Sequence, residues 1–301
     1  VFNNLDLQIE GTFWGGEAFP SHFVYFGPMF CVSYFGGEPI FREDTTWFEP
    51  ICRSVEELQT LRFDPSNRWR QAVRRMTQLS LDRSNGRYFV QNNGAIMALM
   101  DVIVGVLGVE PTLEAMIEKP EAIISARDRM MPWSRQTFDE FDSMLATRQD
   151  GGMDWMGVWA PGRVISSQCD MSAMISPEMF QDFVVPELTD IYRHLDYGIY
   201  HLDGPDEIRH VELLCGIPEL DLIQWVPGTR LGEPHFGDPL NWIDLFRKIQ
   251  DGGKKVLAYC PPSQVRPLLD KIAKDRVYLG INCSDETEAE GVLRELEQIG
   301  V

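Results

Sequence analysis

The chain has 301 residues, with 27 Lys+Arg against 46 Asp+Glu, and a formal net charge of −19. So acidic a protein repels polyanions, which excludes nucleic-acid binding as a class. At 44% hydrophobic and 11% aromatic it can bury a large core, which excludes disorder. The first 50 residues are rich in Gly and aromatics (Phe13-Trp14-Gly15-Gly16, Phe26-Gly27-Pro28, Phe35-Gly36-Gly37) and read as loops and short strands rather than helices. Helices are expected at Ser54–Leu61, opened by a Ser cap with Glu57 three residues on, and at Asn67–Ser80. A strand is expected at Tyr88–Gln91, then helices at Met97–Leu107 and Thr112–Ile117. Pro120–Ala146 is a long helical stretch that Pro132 should interrupt or kink.

From residue 150 short apolar runs recur at Trp155–Trp159, Arg163–Ser167, Gly198–His201, Leu220–Trp225, Lys255–Tyr259 and Val277–Ile281. Helical patterns separate most of them: Pro177–Leu195, Asp206–Cys215, Trp242–Gln250, Ser263–Ala273 and Thr287–Ile299. Alternating strands and helices imply a parallel sheet, because parallel neighbours need long crossovers. The rhythm is that of an α/β fold, a (β/α)8 TIM barrel in a single domain over residues 1–301, with a doubly wound open sheet as the alternative. Neither a Gly-rich dinucleotide loop nor a phosphate-binding loop is present. No run reaches the roughly 18 apolar residues of a membrane span; Ile96–Leu107 is broken by Asp101 and Gly105. Six cysteines lie singly, as expected of reduced thiols in a cytoplasmic protein. Val1 is not an initiator, which leaves open what precedes it.

In a parallel barrel the site lies at the C-terminal strand ends. Those positions carry Asp170, His201, Asp203, Gln224, Trp225, Tyr259, Cys260 and Cys283. His201 and Asp203, two apart at a strand end, point to one face. Imidazole, carboxylate and thiolate are zinc-type ligands, and a catalytic zinc keeps one position open. The same two residues also suit a metal-free hydrogen-bonded pair that orients a substrate. Asp170 is a substrate-binding or catalytic candidate, or else a loop carboxylate in an Asx turn. Cys260 and Cys283 are either ligands or small buried residues; Cys31, Cys52 and Cys215 read as structural, and Cys169 is undecided. Trp14, Trp47, Trp155, Trp159 and Trp225 are candidate pocket walls. The Gly/Pro-dense loop 228–239 has the composition of a lid or of an ordinary crossover.

Met174-Ile175-Ser176-Pro177-Glu178-Met179-Phe180 with Pro186 resembles the helix start of uroporphyrinogen decarboxylase and the cobalamin-dependent methyltransferases related to it. His201-Leu202-Asp203-Gly204 sits where the methyltransferase branch carries His-x-Cys-Gly, and Cys283 resembles its late cysteine ligand. The stretch from Gly36 to Phe48 is also similar to members of this superfamily. The resemblance implies a (β/α)8 barrel. It further implies methyl transfer between a corrinoid (cobalamin-type) on a carrier protein and a nucleophile activated by zinc at His201 and Cys283, with Asp203 or Cys260 completing the set. His201, Asp203 and Asp170 would be catalytic; Gln224, Trp225 and Tyr259 would shape the pocket for the methyl donor or acceptor. Asp203 departs from the family pattern, since carboxylate is a harder ligand than thiolate. The decarboxylase branch, acting on a porphyrin-type macrocycle, is the alternative, but its N-terminal arginine segment is missing and the charge of −19 opposes a carboxylate-rich substrate. A third reading is a corrinoid- or tetrapyrrole-binding protein without catalysis.

Overall fold

The computed structural model describes residues 2–43, 45–228 and 237–300. They fall into two units: Val1–Pro20 with Gly198–Val301, and Ser21–Tyr197. The fold is mixed α/β.

Four strands, Tyr197–Asp203 (in the first unit from Gly198 on), Leu220–Val226, Lys255–Tyr259 and Val277–Gly280, lie side by side in chain order, all parallel. Each crossover is a short 3-10 turn running into a helix, as at Pro239–Trp242 and Ile243–Asp251. The strands read as apolar runs because both faces are covered; Ile199, Leu202, Ile223, Val256 and Leu257 are all buried. The strand expected at Gly198–His201 extends to Asp203, which pairs in register with Val226. Gly204, at φ 91°, then takes the left-handed turn that ends it. The expectation of loops and strands alone near the start fails at Phe2–Gly11, which is helical. Phe2, Leu5 and Ile9 fall at helical spacing, and Trp14 Nε1 donates back to the Ile9 carbonyl at 3.2 Å.

The second unit is mainly helical. Arg68–Ser84 begins where expected: the Asn67 side chain accepts from the Trp69 and Arg70 amides at 2.9 and 3.3 Å. Ser54–Leu61 is a 3-10 turn, Val55–Thr60, without a Ser54 side-chain cap; Glu57 instead accepts from the Arg53 amide at 2.8 Å. Pro120–Leu145 runs through Pro132 unbroken. An interior proline costs about 3 kcal/mol, whereas burying Met130, Phe138 and Phe141 returns roughly 1.5–3 kcal/mol each. Packing wins.

The expected strand Trp155–Trp159 is a turn: Asp154 accepts from the Met156 amide at 2.9 Å, and Gly157 has φ 83°. It joins Gly152–Met153 to Trp159–Ala160 as an antiparallel pair. The helix expected over Pro177–Leu195 splits into Pro177–Phe183 and Val185–Arg193, because Pro186 cannot continue the first. Val164–Ser167 is a buried strand, and Ser21–His22 pairs in parallel with Phe89–Val90.

Among the described residues no closed eight-stranded barrel is formed. The strands before residue 161 are two or three residues long and pair only with one another. No helix of the described residues is long and apolar enough to cross a membrane.

Candidate functional site

The C-terminal edge of the first unit's sheet carries most of the expected residues. His201, Gln224, Leu257 and Tyr278 share one register across the four strands, and register partners in a parallel ladder face the same side. Two residues on, the same face bears Asp203, Val226, Tyr259 and Gly280. Register thus places His201, Asp203, Gln224 and Tyr259 on one face.

His201 Nδ1 contacts Gln224 Oε1 closely. With the amide oxygen as acceptor the ring donates from Nδ1, which puts the lone pair of the neutral ring on Nε2. Gln224 is buried, and its strand fixes that orientation. The Asp203 amide donates to Glu207 Oε2 at 3.1 Å, so buried Glu207 holds the strand end where Gly204-Pro205 turns away. Trp225 is buried edge-on against Trp242, at 4.8 Å between centroids. Trp225, Trp242 and Tyr259 line a small cavity of about 70 Å³. The candidate lid overlaps residues 229–236, which lie outside the described residues.

Tyr259 is half exposed, and its ring lies over Gly280: a Cβ there would stand 2.5 Å from Tyr259 Cδ1. Tyr278 was missed by the sequence reading, because it sits inside a strand rather than at its end. Burial raises its hydroxyl pKa, with the charges of Glu17 and Tyr259 adding to it.

Both candidate cysteines have raised thiol pKa values. Burial, with the charge of Asp238, pushes the Cys260 thiol up to about 12, and its Sγ contacts the Pro261 carbonyl oxygen at 3.4 Å. The Cys283 thiol is also pushed up, by burial and then by Glu288 and Asp285. The polar residues beside Cys283 have a structural use. Asp285 accepts from the Glu288 amide at 2.9 Å, and Glu288 accepts from the Ser284 amide at 2.7 Å, a capping arrangement that opens helix Glu286–Gln298. Among the described residues no three His, Cys, Asp or Glu side chains gather as a metal site.

Asp170 belongs to the second unit, at the start of the 3-10 turn Asp170–Met174. Its carboxylate accepts from Gln168 Nε2 at 2.8 Å. Its amide and that of Met171 donate to the two oxygens of Asp101, at 3.0 and 3.2 Å. Asp101 is buried, and burial plus the Asp170 charge raise its pKa to about 7. Glu187, also buried, accepts from the Met100 amide at 3.1 Å; burial and then Asp101 push it well above the carboxylate range, with Arg127 opposing. The sequence signal for Asp101 was a charge inside an apolar run. Glu187 gave no such signal, lying on an ordinary amphipathic helix.

A larger cavity, about 260 Å³, lies within the second unit. Its wall includes Phe23, Tyr25, Phe30, Trp155, Asn92 and Ser167. Of the tryptophans offered as pocket walls, Trp155 and Trp225 line cavities, while Trp47 is exposed. Trp14 and Trp159 each donate to a backbone carbonyl, Ile9 and Asp150. His22 bonds to Ser80 at 2.6 Å and His194 to Asp139 at 2.8 Å.

No protein-family model and no curated protein matches the sequence. Its fold matches a solved one. That structure is a methyltransferase from Methanosarcina mazei, with a TM-score of 0.58 and 9% identity, over 99% of this chain and 84% of the other. At that identity the likeness is one of fold.

Proposed function

We propose that this chain is an enzyme of the uroporphyrinogen decarboxylase-like superfamily, built on the (β/α)8 plan over residues 1–301, and that it transfers methyl groups in the cytoplasm. The observation that carries the reading is the fold likeness to a methyltransferase along 99% of the chain; the polar edge bearing His201, Asp203, Gln224 and Tyr259 supports it. In such a reaction a corrinoid on a carrier protein supplies or receives the methyl group. This chain's own residues would orient the small-molecule partner. Gln224 holds the His201 ring, which presents Nε2 as a proton acceptor for the nucleophile, and Tyr259 stands at the rim over Gly280.

The residues as placed do not fit a zinc ion. Among the described residues His201, Asp203, Cys260 and Cys283 form no three-ligand group. No step is therefore assigned to metal, and zinc at His201 and Cys283 stays a proposal drawn from the resemblance alone. Elemental analysis of protein purified without chelator tests it: one zinc per chain, absent from His201→Ala, is the result that would support it.

The methyl-transfer reading is tested with methylcobalamin and a panel of small thiols, following loss of the methyl–cobalt absorbance. Turnover that falls about a hundredfold or more in His201→Gln, with an unchanged melting curve, is the expected outcome. No methyl transfer to any thiol, alongside production of lower-carboxylate products from uroporphyrinogen, would move the chain to the decarboxylase branch.

A further inference from the structure

Three strands of the second unit end at one cavity. Ser21–His22 and Phe89–Val90 pair in parallel, and the stretches that follow them, 23–31 and 92–98, supply most of the wall. The end of Val164–Ser167, with Gln168, supplies another part. The C-terminal ends of parallel strands are where α/β folds bind their ligands. The cavity holds about 260 Å³, far more than the water-sized voids a packed interior leaves. None of the catalytic or metal-binding candidates read from the sequence is in its wall.

Among the described residues the wall contains no Asp, Glu, Lys, Arg or His. Its ionisable groups are held neutral. Burial raises the pKa of Tyr25, and burial with the charge of Asp101 pushes the Cys31 thiol up to about 12. Asp101 itself is turned to the Asp170 and Met171 amides, at 3.0 and 3.2 Å. The polar side chains of the wall are engaged or sealed. Asn93 Nδ2 donates to the Val24 carbonyl at 3.0 Å, Gln168 Nε2 to Asp170 at 2.8 Å, and Ser167 to the Met97 carbonyl. The Asn92 amide atoms and the Ser166 hydroxyl have almost no accessible surface. A charged ligand would therefore give up its hydration there and meet no countercharge.

Met29, in the same wall, turns at φ 54° and ψ 22°. That left-handed conformation is strained for a long side chain and free for glycine. Strain of this kind gathers at ligand sites. Here it keeps a polarizable, adaptable thioether in a wall that also holds Met97. Benzene fills an apolar cavity of about 150 Å³, so by proportion this one takes roughly ten non-hydrogen atoms.

We infer that this cavity binds an uncharged, largely apolar small molecule, lodged beyond the ends of the three strands against Met29 and the aromatic wall. The inference goes beyond the methyl-transfer reading, and its test needs no turnover. NMR titration of the full chain at neutral pH with cyclohexanol, cyclohexanecarboxylate and cyclohexylammonium varies charge while size stays nearly constant. Cyclohexanol should bind at least about tenfold more tightly than either ion. Ala95→Phe, which fills the cavity, should weaken cyclohexanol roughly tenfold at an unchanged melting temperature. Met29→Gly should weaken it roughly threefold without lowering the melting temperature, because the strain leaves with the side chain. Three results would each overturn the proposal: an ion matching cyclohexanol, binding unaltered in either variant, or no cyclohexanol binding up to about 30 mM, the weakest affinity expected at that size. Should Ala95→Phe fail to fold, Met29→Gly and the ranking of the three compounds on the unaltered protein decide the matter.

Discussion

Asp101 is where a single side chain connects local structure with pH. It ties down the backbone that presents Asp170, yet it sits in a site that disfavours its charge. A carboxylate whose folded pKa is raised from 3.8 to about 7 contributes stability that is complete below 3.8 and lost as pH rises through about 7. Asp101→Asn should flatten the fall in melting temperature between those pH values. At the acid end of that range, where Asp101 is neutral, it should also lower stability by about 1 kcal/mol, because the amide offers one acceptor oxygen where the carboxyl group offers two. Thermal melts across that range check both parts; an unchanged pH slope would mean that Asp101 does not carry the effect. Gly94 is a second sensitive position. A Cβ there would stand 2.0 Å from the buried ring of Phe141, so Gly94→Ala is expected to cost roughly 1–3 kcal/mol or more in urea unfolding, as overpacked cores do.

At the level of elements, Asn67 shows how directly a local rule can set a boundary. Its side chain satisfies two of the amides that open the helix to Ser84, and Asn67→Ala should lose about 1 kcal/mol by urea unfolding. The same legibility held for Lys255–Tyr259 and Val164–Ser167, where apolar runs between turn signals become buried strands. It failed where long-range packing or a nearby turn outweighed the local pattern. Pro132 was expected to interrupt or kink its helix; it does not interrupt it, and the buried stripe around Met130 and Phe138 carries the helix through. Trp155–Trp159 was read as a strand, but Asp154 and Gly157 fold it back. For the site, register was legible: the two-residue spacing of His201 and Asp203 places them on one face, as expected. Which atoms meet was not. The Gln224 contact, Tyr278 and the Asp101–Glu187 pair depend on neighbours distant in sequence.

For the whole molecule, a charge of −19 implies self-repulsion that ordinary salt relieves. Raising ionic strength from about 0.01 to about 0.15 M shortens the screening length from roughly 30 to roughly 8 Å, and the melting temperature should rise accordingly. A fall would mean that ion pairs such as Arg70–Glu140 outweigh the repulsion. The division of the chain has a different consequence, one of timing. Residues 2–20 belong with residues 198–300: Gly15 and Gly16 lie against Leu293, and the charge of Glu17 is felt at Tyr278. During synthesis this segment leaves the ribosome before residues 21–197, and its partners leave after them. Residues 21–197, contiguous in sequence, can acquire their contacts while the opening segment is still waiting. Closing so long a loop is slow relative to local helix formation. In pulse-labelled hydrogen exchange during refolding, amides of Phe2–Gly11 should gain protection after those of Arg68–Ser84 and Pro120–Leu145. Protection of the opening helix in the earliest phase would instead mean that it folds without waiting for its late-made partners.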